Sequence, residues 1–179
     1  SRTAIARAIR PFILRRTKEQ VAKELPAKNE QTIYCELEPT QRKLYNELRT
    51  HYRSSILGLV DDRGLNRAKM QILEALLRLR QLACHPGLID KTRAKEGSAK
   101  LSLLIPQLAE VVEEGHKVLV FSQFTSFLAI VKQRLDAEGI RYEYLDGKTT
   151  NRQQKVQRFQ NDPSCKLFLI SLKAGGLGL

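Results

Sequence analysis

An α/β fold, with a parallel sheet flanked by helices, is what this 179-residue chain predicts, and three observations carry it. Val118, Leu119, Val120 and Phe121 are apolar at odd and even positions alike, as in a strand covered on both faces. A second unbroken run, Lys166 to Leu172, leads straight into Lys173-Ala174-Gly175-Gly176-Leu177-Gly178. From residue 101 onward helical and strand periodicities alternate, the order expected of a parallel sheet with right-handed crossovers. Ligands of such sheets gather outside the carboxyl ends of the strands. The Ser122-Gln123 pair and the glycine-rich stretch are therefore where chemistry is expected.

From the start of the chain, Ser1 to Lys18 is rich in arginine and free of acidic residues, a composition shared with organellar transit peptides. Pro11-Phe12-Ile13-Leu14 is too apolar for a simple amphipathic presequence, and the chain does not begin with Met, so it reads as part of a longer protein. Pro26, within Glu24-Leu25-Pro26-Ala27-Lys28, breaks any helix, and Ile33, Cys35 and Leu37 alternate as a short strand over Gln31 to Leu37 would. From Thr40, Leu44, Leu48, Tyr52, Ile56 and Leu59 follow helical spacing until Asp61-Asp62-Arg63-Gly64 interrupts it. A second helix carries Ile72, Leu73, Leu76, Leu77, Leu79 and Leu82 and stops at His85-Pro86-Gly87. Residues 39–96 thus read as an α-helical hairpin subdomain without a catalytic constellation.

The charged linker Asp90 to Lys100, with Gly97-Ser98, marks a boundary, and residues 97–179 form the α/β part. Leu101, Leu104, Ile105, Leu108, Val111 and Val112 make a helix ending at Gly115; Pro106 either kinks it or delays its start. Phe127, Ile130 or Val131, and Leu135 mark the helix after the first strand, closed by Gly139. Ile140, Tyr142 and Tyr144 alternate as a strand, and Asp146-Gly147 turns the chain. Thr150-Asn151-Arg152-Gln153 has the spacing of a capping box, predicting a short helix with Val156 and Phe159 that stops at Asn161-Asp162-Pro163.

Composition narrows the partners. Lys and Arg number 31 against 19 acidic residues, a net charge of +12, which makes a polyanion the first partner to consider beside a merely solvated basic surface. No apolar run approaches the ~20 residues that span a bilayer, so no membrane partner is expected. Cys35, Cys84 and Cys165 are an odd, widely spaced set without a Cys-x-x-Cys pair, which favours reduced thiols and an intracellular setting. Cys84-His85 invites a metal reading, but no second ligand pair has workable spacing, so a buried thiol and a helix-ending His-Pro are expected and no metal site is assigned.

Two stretches imitate phosphate-binding motifs. Gly147-Lys148-Thr149-Thr150 ends like a Walker A loop, yet position 142, where the motif needs glycine, is Tyr. Gly176-Leu177-Gly178 can open a dinucleotide fingerprint, but the pattern runs off the sequence. A Rossmann-type methyltransferase or dehydrogenase needs glycines after its first strand, where Ser122-Gln123-Phe124 stands. No adjacent Asp-Glu pair follows a strand to hold Mg2+. A self-contained NTPase is not encoded here.

Seven pieces in order resemble one family over almost the whole chain: Pro11 to Lys18, Glu24 to Lys28, Leu79 to Pro86 (L-R-Q-L-A-C-H-P), Ser98 to Leu101, Lys117 to Phe124, Tyr144 to Thr149 (Y-L-D-G-K-T) with Arg152 and Phe159, and Ser171 to Leu179. The sequence resembles the second RecA-like lobe (helicase C-terminal lobe) of the Swi/Snf-type ATPases, double-stranded-DNA translocases of helicase superfamily two. Lys117 to Phe124 corresponds to helicase motif IV and Ser171 to Leu179 to motif V. The resemblance implies a basic inter-lobe linker segment over 1–38, an inserted helical subdomain over 39–96 and a RecA-like lobe, truncated after motif V, over 97–179.

The resemblance also implies site residues. Ser122, Gln123, Thr149 and Thr150 would lie along the DNA backbone, Thr150 serving equally well as a helix cap; small hydroxyls and an amide bond phosphate oxygens without reading sequence. Ser171 and Lys173 would contact the tracking strand, Gly175 would let the backbone approach DNA, and Gly176 and Gly178 would face nucleotide; a turn after a buried strand is the plainer use of those glycines. Arg15, Arg16 and Lys18 belong to the hinge between lobes or to a phosphate contact, and Arg152 packs or pairs inside the lobe. The family's arginine fingers would fall beyond Leu179, so no catalytic residue is assigned. ATP and Mg2+ are expected in the full-length parent and neither on this chain alone, which is expected to be inactive. Its partners would be double-stranded DNA, the first RecA-like lobe and a protein moved on DNA, with self-association through an incompletely covered sheet. An RNA helicase's second lobe and a non-catalytic nucleic-acid-binding or scaffold domain are the alternatives. The compact spacing between Pro86 and Ser98 tilts the source toward a prokaryote, hence cytoplasm or nucleoid, with the nucleus for a eukaryote.

Overall fold

The computed structural model describes residues 2–14, 16–22, 24–63 and 65–176; Arg15, Gly64 and Gly178, each singled out in the sequence, lie outside them. Contacts divide the chain into two units, Ser1–Tyr34 and Cys35–Leu179. In the first unit, α1 (Arg2–Ile9) runs into a 3-10 turn at Arg10–Phe12 with Pro11 in its second position, and α2 (Lys18–Val21) follows. Phe12 and Leu14 are almost wholly exposed. The strand expected over 31–37 does not form: these residues have no ladder partner, and Ile33 and Tyr34 face outward. An alternating pattern makes a strand only where a neighbour takes its N–H and C=O groups.

The second unit opens with α3 (Pro39–Arg63) and α4 (Leu65–Cys84), packed along one another as the predicted hairpin. Pro39 occupies the first helical position, where a missing N–H costs nothing. Leu44, Leu48, Tyr52, Ile56 and Leu59 form the half-buried stripe of α3. On α4 the inward stripe is Ala68, Ile72, Ala75, Leu79 and Leu82, an alternating four-three spacing of helix seams. Leu73, Leu76 and Leu77, expected in the core, stand on the outer face, because a narrow seam with small alanines is enough to seat α3.

Buried polar groups fasten the hairpin to the next helix. Gln41, 2% exposed, donates through Nε2 to the Leu82 carbonyl (2.8 Å) and accepts at Oε1 from the Ala99 N–H (3.2 Å). His85 has no exposed surface; its Nδ1 accepts from the Gly87 N–H (2.9 Å), which leaves Nε2 to donate to the Glu96 carbonyl (3.0 Å). Burial, the leading influence, holds the imidazole below its usual pKa despite the Glu96 bond, and the nearby Arg134 charge acts in the same sense as burial. A Cβ on Gly87 would stand 2.7 Å from the Ala94 Cα, so the turn admits no side chain there. Cys84, expected as a buried thiol, is half-buried and takes a contact from Lys100 Nζ at 3.6 Å. The end of α4 borders a cleft and is not sealed.

Ser98 caps α5 (Ala99–Glu113), its Oγ accepting from the Leu101 N–H. The helix continues through Pro106, which sits on the solvent side. There the Ser102 carbonyl that loses its partner can turn to water. Then follow β1 (Val118–Ser122), α6 (Thr125–Ala137), β2 (Tyr142–Leu145), α7 (Arg152–Asn161), β3 (Leu167–Ser171) and the single turn α8 (Leu172–Gly175). Gly115 (φ 94°) and Gly139 (φ 68°) end α5 and α6 in the left-handed region that favours glycine. All strand pairs are parallel, in the order β1-β3-β2.

Helices α5 and α6 cover one sheet face, burying Leu108, Leu128, Val131 and Leu135 against Leu167 and Leu169. On the other face, Val156 and Phe159 of α7 meet Leu145, Phe168 and Ile170. Also on β2, the Glu143 side chain is 5% exposed and pairs with Lys155 (2.9 Å) and Arg158 (2.8 Å). β3 is buried at every position, as its sequence predicts. The same expectation fails for β1: Val118 and Val120 face the core, while Leu119 and Phe121 are about half exposed. The strand order places β1 at an edge, and Val156 and Phe159 of α7 pack over β2 and β3. The capping box at Thr150 does not form either; Asn151 is the first cap position, without a side-chain bond, because Asp146 to Thr149 already close their own turn.

Candidate nucleic-acid interface

Three parallel strands deliver their carboxyl ends to one edge, and the register sets Ser122 of β1 directly beside Ser171 of β3. The loops that follow are short, so Ser122-Gln123, Asp146 to Thr150 and Leu172 to Gly176 meet along that edge. These segments, with Ser171 at the end of β3, hold the residues that the resemblance assigns to the DNA backbone.

Each hydroxyl has a structural task. Ser122 Oγ, half-buried, accepts from the Phe124 N–H at 3.1 Å and turns the chain into α6. Ser171, 3% exposed, caps α8 by accepting from the Ala174 N–H at 3.3 Å, so its side chain faces inward. Thr149 Oγ1 accepts from the Asp146 N–H and donates to Asp146 Oδ1, both at 3.0 Å. Thr150, freed of capping, is exposed.

Asp146 is the hub of its loop. Its carboxylate also accepts from the Lys148 N–H (2.9 Å) and the Tyr144 hydroxyl (3.0 Å). Desolvation pushes the Asp146 carboxyl up, but the Lys148, Thr149 and Tyr144 hydrogen bonds with the Lys148 charge outweigh it and hold the group below its ordinary value. Tyr144 is pushed up to about 12, first by burial and then by the bond to Asp146. The loop is thereby tied together around an Asp146 carboxylate that is ionised at neutral pH.

Gln123, Thr150 and Lys173 are the predicted nucleic-acid residues that face solvent. Gly175 is half-buried: a Cβ there would lie 3.1 Å from the Phe121 ring and 3.3 Å from Ile170, so packing, rather than an open backbone, calls for glycine. Gly176 is exposed, with space around it; Gly178 lies outside the described residues. Arg152 Nη2 donates to the Ala174 carbonyl at 2.6 Å, the internal pairing expected of it. Two residues escape a sequence reading. Lys148 is an exposed cation on the Asp146 loop. Arg80 donates from α4 to Gln123 Oε1.

Among the described residues no group of three or more His, Cys, Asp or Glu side chains is placed to hold a metal ion, and Asp146 is committed to its own turn. What the edge offers is positive charge, hydroxyl and amide groups, which suit phosphodiester oxygens. No helix among the described residues is long and apolar enough to cross a membrane.

Comparison with known proteins agrees with this architecture. The family model described as SNF2-related domain matches residues 1–88, and that described as Helicase conserved C-terminal domain matches residues 99–179. An uncharacterized ATP-dependent helicase of Mycoplasma pneumoniae is 36% identical over 94% of the chain and 16% of its own length. Chromodomain-helicase-DNA-binding protein 1-like of Mus musculus is 34% identical over 100% of the chain and 20% of its own. The Sulfolobus solfataricus SWI2/SNF2 ATPase core, solved in complex with double-stranded DNA, superposes with a TM-score of 0.72 at 29% identity, covering 94% of this chain and 36% of that one. The chain spans a fifth or less of the length of these curated relatives. With two family models side by side over nearly all its residues and a RecA-like sheet in common with a solved ATPase core, the chain belongs to the SNF2-related, Swi/Snf-type family of ATP-dependent helicases.

Proposed function

We propose that this chain is the second motor lobe of an ATP-dependent double-stranded-DNA translocase, in which ATP closes two lobes and hydrolysis reopens them. The carboxyl edge of the sheet lies along the phosphate backbone through Gln123, Thr150 and Lys173, with Ser122, Thr149, Ser171 and Gly175 shaping the surface that carries them. Gly176 and Gly178 form one wall of the ATP cleft. The observation that carries this reading is the gathering of exposed amide, hydroxyl and lysine groups at the carboxyl edge of a parallel sheet. Likeness to an ATPase core solved with duplex DNA supports it.

On this reading the first RecA-like lobe supplies the magnesium ligands and the Walker lysine, and arginine fingers worth ~10^3–10^5 in rate are supplied outside this chain's described residues. The chain alone therefore hydrolyses no ATP, and the setting is intracellular. The test is ATP hydrolysis by the full-length protein and by this chain, each without nucleic acid, with duplex DNA and with single-stranded RNA. Stimulation of the full-length protein by duplex DNA, with this chain silent, is the expected result. Stimulation by RNA alone would move the reading to an RNA helicase, and no hydrolysis at all to a binding module.

A further inference from the structure

Gln123 is held by a residue 43 positions earlier in the chain: its Oε1 accepts from Nη2 of Arg80, on α4. The same guanidinium stands 5.9 Å from the centroid of the Phe124 ring, within cation-π range. A glutamine amide has one end that only accepts and one that only donates, and a guanidinium has nothing but donors. Arg80 can therefore hold only the oxygen end. Among the described residues no protein acceptor takes the amide NH2, and no carboxylate lies within ion-pair distance of Arg80.

We infer that Arg80 is a positioning residue that sets the polarity of Gln123, turning its NH2 toward a phosphodiester oxygen and its carbonyl away. The inference rests on the DNA-backbone reading above. An amide oxygen offered to a phosphate would set two acceptors against each other; a free glutamine samples both orientations and loses that freedom on binding. Arg80 removes the wrong one before DNA arrives. The surroundings fit this role: Arg80 and Gln123 border a cleft of 360 Å³ shared with Lys100, Ser122 and Leu172, beside the loops that follow β1 and β3. The helical hairpin thereby acts on motif IV without itself touching DNA.

The test is duplex binding by the full-length protein, followed by fluorescence anisotropy over a range of salt, for the wild type, R80A, Q123A and R80A/Q123A. Each single change is expected to weaken binding by about two- to ten-fold, the range for one hydrogen bond. The double change is expected to be no weaker than Q123A, and the salt slope of R80A to match the wild type. R80M, which keeps the stem against Phe124, replaces R80A if thermal melting shows that R80A unfolds. Multiplying effects with a slope flattened by about 0.9 would mean that Arg80 meets a phosphate directly and would overturn the inference. So would an R80A protein that binds normally while Q123A is weak; the DNA-backbone reading survives both results. That reading itself fails if Q123A, T150A and K173A all bind as the wild type does.

Discussion

The guanidinium of Arg152, at the start of α7, donates to the carbonyl of Ala174 at 2.6 Å, so the helix after the second strand holds the turn after the third. Half-buried and charge-assisted, this bond joins the Ser171 cap in tying down the Leu172 to Gly176 loop. R152A is expected to lower stability by about 1.5–3 kcal/mol in urea unfolding, the range for a hydrogen bond to a charged group. Faster amide exchange confined to residues 172–176 would show that the loss is local. Unchanged exchange there would leave Arg152 without the role given to it.

Gln41 answers two backbone groups at once, the Leu82 carbonyl and the Ala99 N–H. Q41A strands both inside the protein, and ~2–4 kcal/mol of destabilisation follows from two unsatisfied buried groups. The urea midpoint should fall with an unchanged slope. Q41E keeps the acceptor but loses the donor, and is expected to cost less than Q41A at acid pH, where its carboxyl can donate.

His85 makes stability depend on pH in a definite direction. Its folded pKa lies below the unfolded 6.5, because burial, joined by the Arg134 charge, outweighs the bond to the Glu96 carbonyl. The unfolded chain then binds the proton more readily, so this contribution is complete above about pH 6.5 and is lost as pH falls through the folded value. H85Q should flatten the difference in melting temperature between about pH 8 and about pH 5. Beside it, G87A meets backbone at 2.7 Å and should destabilise by about 1–3 kcal/mol, with no left-handed torsion involved.

Glu143 lies inside while its partners reach water: Lys155 is 25% and Arg158 65% exposed. Removing the cations together strands a buried carboxylate, and K155M/R158M is expected to cost about 3–5 kcal/mol. Removing the anion strands nothing, since both cations can swing outward, and E143M should fall within about 1 kcal/mol of the wild type. Thermal melts of the two variants compared at neutral pH decide it; equal losses would contradict the asymmetry.

Local chemistry was the legible part of this fold. Asp146-Gly147 announced a turn, Gly115 and Gly139 announced helix ends, and the unbroken run at β3 announced a strand buried on both sides. The run at β1 has the same composition but a different fate, since nothing in Val118 to Phe121 says that β3 will take the middle place and leave Leu119 and Phe121 uncovered. At the candidate interface, Gln123, Thr150 and Lys173, which the family resemblance singles out, stand exposed. The inward turn of Ser171 and the phenyl ring behind Gly175 depend on packing between strands, which spacing along the chain does not encode. Arg80 was invisible for the same reason, its partner lying in another element 43 residues away.

The β1-β3-β2 order has a consequence for how the protein is made. β1 and β2 share no hydrogen bond, so among the described strands both must wait for β3 to be synthesised before either has a partner. Roughly 45 residues separate the end of β1 from the start of β3, a few seconds at ~5–20 residues per second of translation. Through that interval Val118 to Phe121 is an apolar segment with unpaired backbone, and α5 and α6 are its nearest shelter. Ribosome-bound chains halted before Leu167 should accordingly be the species that chaperones hold, and chains released beyond Ser171 the first to close the sheet.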